Sequence, residues 1–446
     1  MEKINIKDFL DKEYSNSALY NCYRMIASVV DGLKPSSRKV VYTIKKRNIT
    51  SEIKVSRLAP AVAEETEYLH GEGSLQGVII NMTQNFIGTN NVSLLSPNGN
   101  FGSRQIPASS APRYIFSKKS EDFDKFFDKV DDQILIKQEF EGSQIEPKFY
   151  VPTLPLLLLN GSEGMGTGFA QKILPRNQKD IIKAINDILA TGDTRNKLIP
   201  YYKGFKGKIQ PGATAGSWEI VGNYSIDNTT TITITEIPIG YSLSSYLKVL
   251  NKLVDDNVIK SFEDLCENDQ FLFKLNVQRT FTKMTHEEIL DKLKLIKRVT
   301  ENYTCIDENN SIRVFESIHD ILKYYISIRL DYYEKRRLFL IEKLKEEIDY
   351  LESTKFFILN VISGNIKINN VPKKKIEEQL EAFKEIIKKE DSYDHLLRMP
   401  LYSLTKEKVE EFLKQIKDKK EKLNYYIKST SNELWKTDLE EQFGKR

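Results

Sequence analysis

From about Ile318 to the end, the chain repeats apolar residues at helical spacing over a length that no small globule can bury. Ile341, Leu344, Ile348, Leu351, Ile358 and Ile362 follow a three-to-four-residue rhythm with charges between them. Gly364 interrupts the pattern, and a polar, helical insert runs to Pro400. A second amphipathic stretch then carries Val409, Phe412, Ile416, Leu423 and Ile427. Two long helices around a small insert predict an antiparallel coiled coil with a knob at its tip. The insert holds Ile376, Leu380, Phe383, Ile386, Ile387, Leu396 and Leu397. That is more apolar surface than a small knob covers alone, so residues of about 365–404 are expected to form a dimerisation gate.

At about 100–200 residues per domain, the 446 residues as a whole suggest two to four domains. Apolar residues make up 40% and charged residues 29%, a balance that buries cores and is not that of a disordered chain. The longest apolar run, Leu154 to Leu159, contains a proline and is far short of the roughly 20 residues of a membrane span. The N-terminus has no signal-peptide core. Three dispersed cysteines, Cys22, Cys266 and Cys305, exclude a disulfide framework and a cysteine zinc site. They fit a reducing compartment, so a cytoplasmic location is expected, with no membrane association.

Residues 1–140 read as short helices separated by turns. One helix is expected from Ala18 to about Val30 with Ser17 as its N-cap. Asp31-Gly32 and Lys34-Pro35 break it, and a basic helix begins near Ser36, with Ser36 or Ser37 as its cap. That order makes a helix-turn-helix candidate. Net charge is only +4, yet Lys34, Arg38, Lys39, Lys45, Lys46, Arg47, Lys54 and Arg57 stand against Glu52 alone. Such a stretch marks either a phosphate-facing surface or a solvated helix face. Residues 141–318 are mixed. VPTLPLLLLNG reads as a buried strand entering a glycine-rich loop, SWEIVGNYSIDNTTTITITEIPIG as a hairpin, FLFKLNV as a strand and HEEILDKLKLI as a helix.

Several chemistries are missing from the sequence. There is no GxxxxGK[ST] phosphate loop and no HExxH. Gly161 to Gly168 lacks the spacing of a dinucleotide loop, and Asp122-Phe-Asp124 lies in an acid-rich helical run where carboxylates fall together by chance. Tyr114 differs from the other tyrosines in its context. It follows Arg113 in SSAPRYIF, just after NGNFGSR. A phenol with a usual pKa near 10 acts as a nucleophile only where cations favour the phenolate. Arg113 and the basic stretch could supply them for attack on a phosphodiester.

DGLKPSSRKVVYTI (Asp31 to Ile44), YLHGEGSL (Tyr68 to Leu75), NFIGTNNVSLLSPNGNFGSR (Asn85 to Arg104), APRYIF (Ala111 to Phe116), LLNGSEGMGTGF (Leu158 to Phe169) and YYKGFKGKI (Tyr201 to Ile209) occur in this order. Together they resemble the breakage-reunion region of type IIA DNA topoisomerases, as found in gyrase A subunits and the C-terminal half of eukaryotic topoisomerase II. The overall length is most similar to the medium subunit of the multi-subunit enzymes of T-even-type phages. The resemblance implies an α+β fold: a winged-helix domain at 1–140, a tower domain at 141–318, and a coiled coil with its gate at 319–446.

The resemblance also implies roles. Tyr114 matches the DNA-linking tyrosine and Arg113 its arginine neighbour. Arg24 matches an arginine on the scissile phosphate, and His70 a histidine near the reacting phosphate. Lys34, Arg38 and Lys39 match basic residues on the DNA recognition elements, and Lys54 joins them as an expected DNA contact. Met165 stands where an isoleucine wedges between base pairs. Gly73 replaces a small hydroxyl residue, which puts quinolone-type sensitivity in doubt but not catalysis. No metal ligands are expected on this chain. Mg2+ and ATP are expected on a large partner subunit, with double-stranded DNA and a second copy of this chain as the other partners. Two readings from other classes compete: an architectural DNA-binding protein without chemistry, and a coiled-coil scaffold.

Overall fold

The computed structural model describes residues 5–389 and 391–444. It divides into two compact units, Met1–Arg329 and Leu330–Arg446. The first unit therefore holds both regions that the sequence separates at residue 140, and the division falls inside a helix, not at residue 318.

The first unit begins its packed part with helix α1 (Ser15–Met25). It starts earlier than Ala18, takes no cap from Ser17, and stops at Met25. Ile26 is extended instead, Ser28 bridges Ile306, and Val29 and Val30 enter a turn, with Val29 N–H donating to Ile306 O at 2.9 Å. Helix α2 (Pro35–Lys46) carries Pro35 in its first turn, and neither Ser36 nor Ser37 caps it; the cap position is Lys34. Proline's fixed φ and missing N–H suit a first turn. Val40, Val41 and Ile44 are fully buried along one face. They pack with α3 (Val55–Thr66) and α4 (Glu72–Thr83), which bury Leu58, Val62, Leu75 and Ile79.

Beside these helices lies a three-stranded antiparallel sheet of β1 (Ile53–Lys54), β2 (Leu95–Asn98) and β3 (Phe116–Lys119). β3 is central, with Phe116 facing Lys54 on one side and Asn98 on the other. Three helices and a small sheet match the winged-helix expectation in content and order. The run Leu156–Asn160 is helix α5, not a strand. A short continuous apolar run is compatible with either, and here all four leucines are buried in a helix that follows Pro155.

The hairpin of β4 (Ser162–Gly166) and β5 (Phe169–Ile173) comes next. A four-stranded sheet in the order Asn223–Asn228, Thr231–Glu236, Phe273–Asn276, Ser261–Asp264 follows, packed on Leu243–Asp255 and His286–Lys292 around Ile232, Tyr246 and Phe273. The expected hairpin is real only from Asn223 onward. Ser217–Val221 joins another sheet, between Lys208–Pro211 and Ile296–Thr300.

Helix Ile318–Ile362 is 45 residues long, roughly 68 Å at 1.5 Å per residue. In the second unit its apolar stripe packs against the returning helix Lys406–Lys428, and Gly364 follows with a positive φ of 79°. Ion pairs Glu347–Lys419 and Glu352–Lys420 join the two helices at 2.6 and 2.7 Å. Ile348, Leu351 and Ile358 share a core with Val409, Phe412 and Ile416, and also with Ile376, Leu380, Ile386 and Leu396 of the insert. The knob thus covers most of its own apolar residues, contrary to the area argument from sequence. Ile387 and Tyr402 remain exposed there. A separate helix, Ser431–Phe443, follows.

Candidate nucleic-acid interface

Tyr114 sits on a tight turn immediately before the central strand β3. Its N–H donates to Ala111 O at 2.9 Å. The turn is stitched to the start of α3, where Val55 N–H donates to Ile115 O and Ser56 N–H to Pro112 O. Ile115 is fully buried and anchors the turn, while the Tyr114 side chain is 65% exposed. The Arg113 guanidinium carbon lies 5.1 Å from the Tyr114 ring centroid. Lys54 closes β1 with its ammonium 5.7 Å from the Phe116 ring, and Arg57 is exposed in the first turn of α3. Arg113 thus stands beside an accessible phenol, and Lys54 and Arg57 lie in the two elements to which the turn is bonded.

A second group converges on an open cavity of about 440 Å³ whose walls include Arg24, Lys34, Lys39 and His70. Tyr114 and Arg113 are not among the residues around it. The Lys34 ammonium donates to Glu163 O at 2.8 Å, and burial lowers its pKa against the opposing pull of Glu163. Lys39 pairs with Glu146 at 2.9 Å and donates to Thr66 O.

Arg38 departs from the sequence expectation. It is 3% exposed and makes a 2.7 Å ion pair with Asp31, which is itself fully buried and accepts N–H bonds from Leu33 and Tyr150. A guanidinium so enclosed holds the Asp31 turn against α2 and is almost wholly removed from solvent. The basic stretch as a whole is largely neutralised. Lys45 pairs with Asp132, Lys46 with Glu65, and Arg47 with Glu64 and Glu65. Among the described residues, Lys54 and Arg57 keep no such carboxylate partner.

Met165 is 76% exposed at the middle of β4. Its neighbours explain the placement. A Cβ on Gly164 would lie 1.9 Å from Met25 O, and one on Gly166 would lie 2.7 Å from Cys22 Sγ. The two glycines let β4 lie directly on α1, and strand alternation then turns Met165 outward. Gly73 lies exposed in the first turn of α4, with nothing within 4 Å of a Cβ built there.

Arg104, the last residue of NFGSR, carries no signal of its role in the sequence. It is a buried bolt. It pairs with Glu236 at 3.0 Å, donates to Ile237 O and stacks on Phe205 and Phe271, with burial lowering its pKa. Tyr20, also unassigned from sequence, lies against both Arg24 and His70. Nothing in the spacing of Tyr20 and His70 signals that contact.

This arrangement is that of a known family. The family model for the A subunit of DNA gyrase/topoisomerase IV matches residues 24–440. The chain belongs to that family. Among its relatives, the mitochondrial DNA topoisomerase 2 of Dictyostelium discoideum is 36% identical over 99% of this chain and 35% of its own length. DNA topoisomerase 2 of Plasmodium falciparum is 35% identical over 97% of this chain and 34% of its own. The crystal structure of the Plasmodium falciparum topoisomerase II DNA-binding, cleavage and re-ligation domain superposes with a TM-score of 0.89 at 35% identity, covering 98% of this chain and 64% of that one. The chain thus spans about a third of the length of the curated relatives it matches.

No three His, Cys, Asp or Glu side chains among the described residues are grouped to hold a metal ion. No helix among them is long and apolar enough to cross a membrane.

Proposed function

We propose that this chain is the DNA-cleaving and rejoining part of an ATP-dependent type IIA topoisomerase, with Tyr114 as the nucleophile. The observation that carries the reading is an accessible tyrosine, braced by Arg113 on a turn fixed to a buried strand, in a chain of the gyrase A family. In the proposed step the Tyr114 Oη forms a bond to the DNA phosphorus and the bond from phosphorus to the 3′ oxygen breaks. The phenol loses a proton and the leaving oxygen gains one. A 5′-phosphotyrosine and a 3′-hydroxyl result. The number of phosphoester bonds is conserved, so the reverse reaction seals the strand without ATP. Arg113 and Arg24 would spread the negative charge that builds on the phosphoryl oxygens. His70, Lys34 and Lys39 would hold the backbone near the cavity, and Met165 would wedge into the duplex and bend it.

Two copies, each cutting one strand, would open a staggered double-strand break for passage of a second duplex, relaxing supercoils. Tyr114 lies apart from the Arg24 cavity on one chain, and such a dimer offers each tyrosine a cavity from the other copy. Exposed Ile387 and Tyr402 in the knob are candidate contacts for that dimer. The magnesium carboxylates and the ATPase are assigned to a partner subunit of a phage-type assembly. The lack of a GxxxxGK[ST] loop in the sequence supports this, whereas the matched topoisomerase 2 relatives are much longer chains. The decisive test is a cleavage reaction quenched in denaturant and searched by mass spectrometry. A nucleotide on Tyr114 is expected; DNA binding without any tyrosine adduct would favour the architectural reading.

A further inference from the structure

Tyr20 lies on α1 one helical turn before Arg24, on the same wall of the cavity as His70. Its ring lies beneath the Arg24 guanidinium, 5.7 Å from the carbon to the centroid. Its hydroxyl is 3.3 Å from His70 Nε2. One side chain thus touches two residues that approach the cavity from elements 46 positions apart in sequence, α1 and the segment before α4. Neither of those two is otherwise fixed from that side. His70 is exposed, in a loop between α3 and α4, and meets Tyr68 edge to face at 5.3 Å. Arg24 forms no ion pair closer than 4 Å among the described residues.

We infer that Tyr20 is a positioning residue that sets Arg24 and His70 as one unit for the phosphate. The inference rests on the cleavage function proposed above. A neutral imidazole has one N–H and one bare nitrogen. When the Tyr20 hydroxyl donates to Nε2, the proton is held on Nδ1 and the ring cannot rotate freely. The same phenol ring offers its negative face to the guanidinium, which holds Arg24 against Tyr20. Preorganised donors stabilise a transition state because no reorientation is needed during the reaction. Tyr20 is 54% exposed, so its loss leaves the core untouched.

The experiment has two arms on the full chain. In the first, ¹⁵N spectra of the histidine rings are compared between wild type and Tyr20→Phe, with His70→Asn to assign the signal. A His70 held on the Nδ1–H tautomer in wild type and averaged in Tyr20→Phe is expected; an unchanged signal overturns the contact. In the second, single-turnover DNA cleavage by the reconstituted enzyme is measured at saturating DNA. Tyr20→Phe should slow cleavage about three- to tenfold with DNA affinity within about twofold, the size of one lost hydrogen bond. That slowing should vanish in a His70→Asn background. Tyr20→Ala, which also removes the ring under Arg24, should be slower again. Wild-type rates for Tyr20→Phe, or equal slowing in both backgrounds, would overturn the positioning role. Absence of a Tyr114 adduct in wild type would overturn the cleavage function, and the spectral arm would still decide the Tyr20 contact.

Discussion

Two segments of the first unit, one crowded with cations and one with Arg113 alone, use them in opposite ways. In residues 31–47 the charges face inward or into carboxylates: Arg38 is enclosed with Asp31, and Lys39, Lys45, Lys46 and Arg47 each have an acidic partner. In the turn 111–116, only Ile115 is buried, and Arg113 and Tyr114 stand in solvent. The first segment is denser in positive charge along the sequence, and the second is the more accessible. A cation already paired in the fold adds little field at a distance, whereas an unpaired one beside an exposed hydroxyl acts on whatever docks there. Charge density along a sequence is therefore a poor map of a binding surface until the acidic partners are located.

The comparison breaks most sharply at Tyr114. Tyr114→Phe should abolish cleavage and leave DNA affinity and thermal stability near wild type, since an exposed hydroxyl holds nothing in the fold. Substantial relaxation by the mutant complex would remove the assignment. One step smaller, Arg113→Ala and Arg24→Ala should each slow cleavage by about 10²–10³, the usual effect of losing one preorganised charge contact. DNA affinity should fall much less. Equal losses in rate and affinity would make these arginines ordinary phosphate positioners.

Arg38→Ala tests the opposite side. Removing one partner of a buried pair leaves Asp31 charged and enclosed, and such changes typically cost about 3–5 kcal/mol of stability. The expected signature is a large drop in melting temperature, with the residual folded protein still binding DNA. A stable Arg38→Ala protein with lost DNA binding would restore the sequence-based role of Arg38. Met165→Ala should act on neither stability nor chemistry first. Its side chain stands mostly in solvent, so the expected effect is a smaller bend in bound DNA, read by fluorescence energy transfer between the duplex ends. An unchanged bend would mean that another residue is the wedge.

What is legible in the sequence follows the same division. The long helices are readable because a three-to-four-residue stripe kept over tens of residues has no other compact solution, and Ile348, Leu351, Val409 and Phe412 pack as that stripe requires. The tyrosine turn is readable because its motif is local. Arg38 misleads because its partner, Asp31, lies seven residues upstream across a Gly-Leu-Lys-Pro turn, and only the folded turn brings them together. Leu156–Asn160 misleads because four leucines in a row carry no period. The self-covering of the knob is invisible because it depends on Ile376, Leu380 and Leu396 meeting Ile348 and Phe357 across the coiled coil.

The smallest expected effect sharpens the contrast within the basic stretch itself. Lys46 and Arg47 close α2 and pair with Glu64 and Glu65 near the end of α3, at 2.6 to 2.7 Å. These pairs hold the Glu65 carboxyl below its usual pKa, chiefly through the Lys46 and Arg47 hydrogen bonds. A carboxyl with a depressed folded pKa adds stability above its unfolded pKa and loses it as pH falls through the folded value. The side chains of Lys46 and Arg47 are 47% and 36% exposed, so solvent screens the pairs and each contributes roughly 0.2–1 kcal/mol. Glu65→Gln should therefore lower the melting temperature slightly at pH 7, and the difference from wild type should shrink in acid and in high salt. It should also free Lys46 on the surface of α2, while Arg47 keeps Glu64. If these helices do lie along DNA, the same change should tighten binding about twofold and steepen its salt dependence. Unchanged DNA affinity, with the small stability loss present, would show that the Lys46 and Arg47 end of α2 faces away from the duplex and that the interface is confined to the Tyr114 turn, the Arg24 cavity and Met165.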